Sequence, residues 1–403
     1  MLEKASEETL PDVGYAWVVA VASFVMQVCV AGTFSGYGVY MEYYSNEVFP
    51  NEEKSRVAMI GNLAPTTIAI ASIVTGRVCQ AVGVRACVML GAMLMALGHL
   101  LASFGTEIWH FALTQGCMVG LGGALIYVPA NLIVTEWFVK KRGLAAGLGA
   151  SGAGIGGVAF AQLNSRLLPV IGYRWTLRVN GGLVFVVLVG AAVAVRRREY
   201  SAPKDDTSFH KSLVLNGRFG WYALSSFFGG FAYLIPLYYV NSHAISMDMT
   251  RIEAGYAGSA INFGSAAGRI VLGILGDYIG YVRCYILSIF LTTVTSVMWR
   301  FSTNFTALMI FGVLYGIPCG GYAGGFGPTC AALFGKRQLA TMMGLVYSCA
   351  GFGELIGPII CGYLLDAYNN YNPLIYCTIV GYALAFLMMC LSYHCLKKNP
   401  PPA

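Results

Sequence analysis

Gly76-Arg77-Val78-Cys79-Gln80-Ala81-Val82-Gly83-Val84-Arg85 returns 197 residues later as Gly273-Ile274-Leu275-Gly276-Asp277-Tyr278-Ile279-Gly280, with Arg283 just behind it. Both stretches follow G-x-(L/V)-x-(D/Q)-x-x-G, and each closes an apolar run long enough to cross a bilayer. A second echo pairs Phe138 and Lys141-Arg142-Gly143-Leu144-Ala145 with Phe334 and Lys336-Arg337-Gln338-Leu339-Ala340 at nearly the same offset. Two echoes at one offset imply a duplicated unit. In a membrane protein such a duplication implies a pathway between two bundles that rock against each other.

Working outward from these turns, the rest of the chain is mostly hydrocarbon-compatible. Its 403 residues are 57% hydrophobic and only 11% charged, and mean hydropathy is +0.66. Soluble domains carry about 25% charge, so this composition excludes one. Twelve apolar spans are predicted, beginning near Tyr15, Val57, Ala86, Ile108, Leu144, Leu177, Phe219, Ala254, Cys284, Thr306, Leu339 and Pro373. The longest polar interruption, from Arg196 to Arg218, divides them six and six. The expected organisation is a tail 1–14, a bundle 15–195, a linker 196–218, a bundle 219–396 and a tail 397–403. The fold class is thus all-α, with twelve transmembrane helices in two pseudo-symmetric six-helix bundles.

Lys and Arg set the orientation. Arg77, Arg85, Lys140, Lys141, Arg142, Arg196, Arg197, Arg198, Lys204, Lys211, Arg218, Arg283, Lys336, Arg337, Lys397 and Lys398 share one face with both termini. The other face keeps Lys54, Arg56, Arg166, Arg174, Arg251 and Arg300. The positive-inside bias puts the first set, and both termini, in the cytosol. The net charge of +7 is therefore topological and gives no reason to expect nucleic acid. The sequon Asn304-Phe305-Thr306 falls outside, in a loop short for a glycosylation acceptor. No cleavable signal is expected, because Met1 to Asp12 is polar and acidic and the first apolar run is too long. The plasma membrane is the expected location, with an internal membrane as the alternative.

Within this apolar frame two ionisable residues lie deep in spans. Arg269, in Ile261-Asn262-Phe263-Gly264-Ser265-Ala266-Ala267-Gly268-Arg269-Ile270, is roughly 12 Å from Asp277 at helical rise. A guanidinium there costs at least about 2.5–3.5 kcal/mol, so it is expected to face the bundle interior or a watery chamber. Its planar donors match a carboxylate. The alternative is a structural arginine bonded to backbone carbonyls or to Asn262. Glu354, in Ala350-Gly351-Phe352-Gly353-Glu354-Leu355, is the other; it reads either as a proton-coupling site or as a neutral group bonded to a neighbouring helix.

Among neutral residues, Asn262, Tyr127, Asn131, Tyr233 and Tyr347 are candidate substrate contacts beside Arg269. Asn62, Gln162, Asn164, Tyr238, Tyr315, Tyr322 and Ser348 are further residues that could line the cavity; any one alone is more often an interhelical hydrogen-bonding group, and mid-span placement favours Tyr127 with Asn131 and Tyr347 with Ser348. Arg178 is expected to anchor at the membrane interface. Gly76, Gly83, Arg85, Gly273, Asp277, Gly280 and Arg283 are the expected gating turns. The twelve scattered cysteines lack ligand or disulfide spacing, and the five histidines are dispersed. No catalytic set, metal site or cofactor is expected. The glycines Gly147, Gly149 and Gly152 mimic nucleotide-loop spacing, but no strand precedes them, and close helix crossing explains them better.

The repeated turn on a six-plus-six frame resembles the major facilitator superfamily, and within it the monocarboxylate porter family, particularly its fungal branch. Pro11-Asp12-Val13-Gly14-Tyr15-Ala16-Trp17 is similar to that family's opening of span one, and Trp137-Phe138-Val139-Lys140-Lys141-Arg142-Gly143-Leu144-Ala145-Ala146-Gly147-Leu148 to its opening of span five. Gly268-Arg269 with Gly273 and Asp277 matches its arginine-bearing span eight. The resemblance implies the major facilitator fold and a carboxylate at Arg269. It would assign proton coupling to a lysine near Ser35 and an aspartate at Ser265, and this chain has neither. Gln80 likewise replaces the acidic residue of the first-half turn. The expected function is secondary transport of a small organic anion, a monocarboxylate first, with proton coupling through Glu354 as an option. Export of a secondary metabolite or bulkier organic acid, or uptake of a vitamin, is the alternative. A non-transporting sensor is the third reading.

Overall fold

Hydrocarbon offers backbone groups no partner but each other, so a spanning chain must satisfy them within its own helices. In the computed structural model the apolar stretches are helical, and no strand occurs among the described residues, which are 13–138, 141–196, 217–335 and 339–398. The first tail up to Asp12, most of the 196–218 linker, Lys336 to Gln338 of the second echo and the tail from Asn399 lie outside them. Eleven helices are long and apolar enough to cross a membrane. They are α1 (Tyr15–Val48), α2 (Lys54–Val82), α3 (Val84–Ala102), α4 (Ile108–Val134), a continuous Arg142–Ala194 helix, α7 (Gly217–Ser246), α8 (Arg251–Ile279), α9 (Tyr281–Trp299), α10 (Phe305–Phe334), α11 (Leu339–Tyr368) and α12 (Asn372–Lys398).

The 53-residue helix supplies two crossings. At helical rise it would measure roughly 80 Å, more than twice the hydrocarbon thickness. It breaks at Gly172, whose φ of 69° and ψ of 172° only glycine adopts easily. The segment before the break, α5 (142–171), packs on α1. After it, α6 (173–194) runs back antiparallel to α3: Arg178 Nε donates to Ser103 Oγ at 3.1 Å near one end, and Arg85 Nε to the Val195 carbonyl at 2.8 Å near the other. Counted this way, the described residues make twelve crossings. Most observed helices start one to four residues before the predicted points, because Lys54, Arg251 and the Tyr173-Arg174-Trp175 segment are already helical although they are not apolar. Three starts carry caps. Glu107 and His110 form a capping box on α4, Thr250 and Glu253 another on α8, and on α10 Asn304 Oδ1 accepts from Ala307 N–H at 2.8 Å.

The duplication is visible in the geometry. Gly83 (φ 85°, ψ 155°) and Gly280 (φ 91°, ψ 138°) turn α2 into α3 and α8 into α9 in the same conformation. Arg85 reaches Val195, and Arg283 Nε donates to Tyr393 Oη at 3.0 Å; each arginine ties to a residue 110 positions downstream.

Large apolar side chains such as Val186, Val193, Phe263, Tyr278, Tyr363 and Val271 are exposed around the perimeter, as a lipid-facing surface requires. Arg178 stacks over Phe104 and Trp175 at 4.9 and 4.7 Å. Inside, glycines replace the hydrophobic drive that hydrocarbon cannot supply. Gly32 of α1 meets Gly156 of α5, and Gly264 and Gly316 bring α8 and α10 into backbone contact. The halves meet along two seams. In one, α5 lies against α8, from Gly143 beside Asp277 to Gln162, which bonds Ser259 at 3.2 Å. In the other, α2 lies against α11, where Thr66 Oγ1 donates to Gly351 O and Ser348 Oγ to Ala69 O, both at 3.2 Å.

Candidate functional site

On α8 the lipid-facing residues are Phe263 and Val271, 64% and 55% exposed. Asn262, Ser265 and Arg269, spaced three and four apart, share the opposite, buried face. This spacing carries Arg269 to the α5–α8 seam, where it is 7% exposed. Nη1 donates to the Ala150 carbonyl of α5 at 2.8 Å, and Nη2 to Tyr233 Oη of α7 at 3.4 Å. The guanidinium therefore touches both halves. Small residues make the reach to a helix backbone possible: a Cβ added at Gly147, one turn before Ala150, would sit 2.6 Å from the Arg269 carbonyl. Nε is buried with no protein partner. Among the described residues no carboxylate forms an ion pair with Arg269.

Beside the guanidinium lies a cavity of about 50 Å³, lined by Tyr127, Tyr233, Tyr347, Glu354, Phe326 and Tyr322 together with residues of α1 and α2. Its walls thus come from both halves. Arg269 and Glu354 share the chamber without pairing to each other. The volume is far below the roughly 300–1,000 Å³ of a typical ligand pocket, so cargo requires the halves to part. Two larger hollows lie elsewhere. One of about 620 Å³ sits between the ends of α1, α7 and α11, and one of about 580 Å³ surrounds the Gly83 turn. Neither touches Arg269.

Of the residues singled out by sequence, Arg269, Glu354, Tyr127, Tyr233 and Tyr347 are brought together. Two are not in the lining. Asn262 bonds the Gly258 carbonyl at 3.2 Å and packs against Gly157 of α5. Asn131 donates to the Tyr127 carbonyl at 2.8 Å and lines a smaller hollow of about 20 Å³ behind Tyr127 and Tyr347. Tyr127 and Tyr347 themselves close the chamber on that side, with their hydroxyls 2.8 Å apart across the α4–α11 contact. Phe34 and Phe326 line the chamber without having been singled out. The four-residue spacing of Tyr322 and Phe326 was the available signal, but aromatic rings suit lipid equally well.

The turns take varied parts. Asp277 accepts from the Tyr281 hydroxyl, and its carboxylate lies against Gly143 at the start of α5, so it touches the other half. Helix N-termini favour such an anion. Gly273 sits near the Gly143 carbonyl, whereas Gly76 has open space around it. Ser35 and Ser265, which stand where the resembled family has its coupling pair, are buried packing residues, against Gly157 and Gly320 respectively.

The family profile described as Major Facilitator Superfamily matches residues 20–257 and 242–403. The chain is 26% identical to the agnestins efflux protein of Paecilomyces divaricatus, over 88% of this chain and 82% of that protein. It is 29% identical to the aspyridones efflux protein of Emericella nidulans, over 91% and 76%. A probable transporter of Saccharomyces cerevisiae is 26% identical over 94% and 82%.

Proposed function

The chain belongs to the Major Facilitator Superfamily, and, taking it as a multi-pass membrane transporter of small organic substrates, we propose that its cargo is an organic acid whose carboxylate docks on Arg269. The single observation behind this reading is the guanidinium itself: permanently charged, buried between the halves, bordering a chamber and lacking a counter-carboxylate. A buried charge of this kind is costly unless a partner arrives, and an anionic cargo is such a partner. Alternating access follows from the duplicated halves, with the Arg269 chamber as the fixed point between them.

Export of a metabolite acid is favoured over uptake of a small monocarboxylate. Two of the relatives described above carry efflux names, and Ser35 and Ser265 leave this chain without the lysine–aspartate pair that the monocarboxylate resemblance would use. In this reading Glu354 carries the coupling proton. It lines the same chamber as Arg269, and no protein group is hydrogen-bonded to it among the described residues. The charge bias supports cytosolic termini, and the export reading takes the plasma membrane as the location.

The test is Arg269→Gln in the full chain. Efflux of organic acids from loaded vesicles is expected to fall at least about 100-fold, the scale of losing a buried charge-assisted bond of about 3 kcal/mol. The amount of protein in the membrane stays the same. Wild-type rates in that variant would remove Arg269 from the site.

A further inference from the structure

The chamber wall is a connected run of aromatic rings. It starts at Tyr233, which accepts from Arg269, and passes to Tyr322 (centroids 6.0 Å apart) and then Phe326 (5.1 Å). Phe326 stacks on Tyr347 at 4.9 Å with planes 28° apart, and Tyr347 meets Tyr127 edge to face at 5.6 Å and 83°. Five rings from α7, α10, α11 and α4 thus border the space beside the guanidinium, and Phe34 of α1 adds a sixth.

From this belt we infer that the cargo is an aromatic carboxylic acid, its carboxylate on Arg269 and its ring system between the rings of the two halves. The inference rests on the anion-carrier reading and adds the chemistry of the apolar part. Two features of the belt carry it. First, the rings already pack against one another around a chamber of only about 50 Å³. When the halves separate, the Tyr127–Tyr347 contact, which crosses from α4 to α11, is lost. A planar aromatic cargo restores that contact on both sides, whereas an aliphatic one restores only the buried area. Second, ring faces and edges carry opposite partial charge, so offset or edge-on packing selects an aromatic ring over a saturated ring of equal size. Apart from Arg269 and Glu354, the non-aromatic lining, Ala31, Pro65, Ile68, Ala69 and Ala323, is apolar.

The experiment uses the purified full chain in detergent and in proteoliposomes, with matched acid pairs: benzoate against cyclohexanecarboxylate, and 2-naphthoate against its decahydro analogue. Within each pair the carboxylate and carbon frame are the same and only the π-system differs. Wild-type protein is expected to be stabilised by the aromatic member at about ten-fold lower concentration than by the saturated one, and to move it with a matching preference. In Phe326→Leu and Tyr322→Leu the ratio should shrink toward about two. Equal responses to both members of each pair overturn the aromatic inference while leaving the anion carrier standing. An aromatic preference that neither leucine variant alters also overturns it. If no acid of any pair binds or moves, the anion reading falls, and this inference with it. The wild-type comparison needs no variant, so a leucine substitution that fails to fold does not spare the proposal.

Discussion

Arg269 uses two of its three nitrogens on Ala150 and Tyr233 and leaves Nε to the interior. Of the two readings open at the sequence level, a structural arginine held by carbonyls accounts for one bond; Asn262 supplies none. Glu354 is the second ionisable group in the chamber wall, one residue beyond the Gly353 that packs on α7. If it carries the coupling proton, Glu354→Gln separates two activities. Accumulation driven by a pH gradient is lost, while exchange of acid at equal pH on both sides persists. Retention of gradient-driven accumulation in vesicles of the variant would remove Glu354 from coupling. Both ionisable groups were legible from sequence because such side chains deep in hydrocarbon are rare and expensive. Phe34 and Phe326 were not legible, because a phenyl ring costs nothing on either the lipid or the chamber side.

At the scale of elements, glycine decides how closely helices approach. A Cβ at Gly268 of α8 would run into the Ile317 carbonyl of α10, and one at Gly320 into the Ser265 carbonyl of α8. These are backbone atoms and cannot swing aside. Gly268→Val is therefore expected to destabilise the protein by about 1–3 kcal/mol through overpacking, read as a lower Tm in detergent. Gly190→Val, on α6 with nothing within 4 Å, is expected to leave Tm unchanged. Equal melting of the two variants would contradict the packing account. The α8–α10 crossing also sets the site, since Gly324 of α10 lies against the aliphatic stem of Arg269 and so fixes where the guanidinium points.

At the scale of the whole molecule, both seams are closed and the central chamber is contracted, so transport requires the halves to move apart on one face at a time. A Cβ at Gly344 of α11 would sit 3.1 Å from Cα of Ile73 in α2, near the face that carries the basic loops. Backbones this close leave little room for a larger side chain, so Gly344→Val is expected to hold this seam apart and slow transport, with the amount of protein in the membrane unchanged. Wild-type rates in that variant would mean that this seam does not need to close during the cycle.

The sequence by itself determined the number of crossings, the duplication and the depth of the charged residues. Hydrocarbon thickness sets the span length, unpaired backbone groups are forbidden there, and the repeated turns Gly76–Gly83 and Gly273–Gly280 mark the same corner twice. That the Arg142–Ala194 stretch must break into two crossings also follows from its length, whereas the position of the break at Gly172 came from the structure. Only the tertiary structure decided which face of each helix meets the chamber. In a soluble protein the polar face would point to water and betray the answer, but here lipid and core are both apolar. Asn262 and Asn131 bond carbonyls one turn back in their own helices, while Phe34, Tyr322 and Phe326 turned inward, and nothing in their local sequence separates the two outcomes.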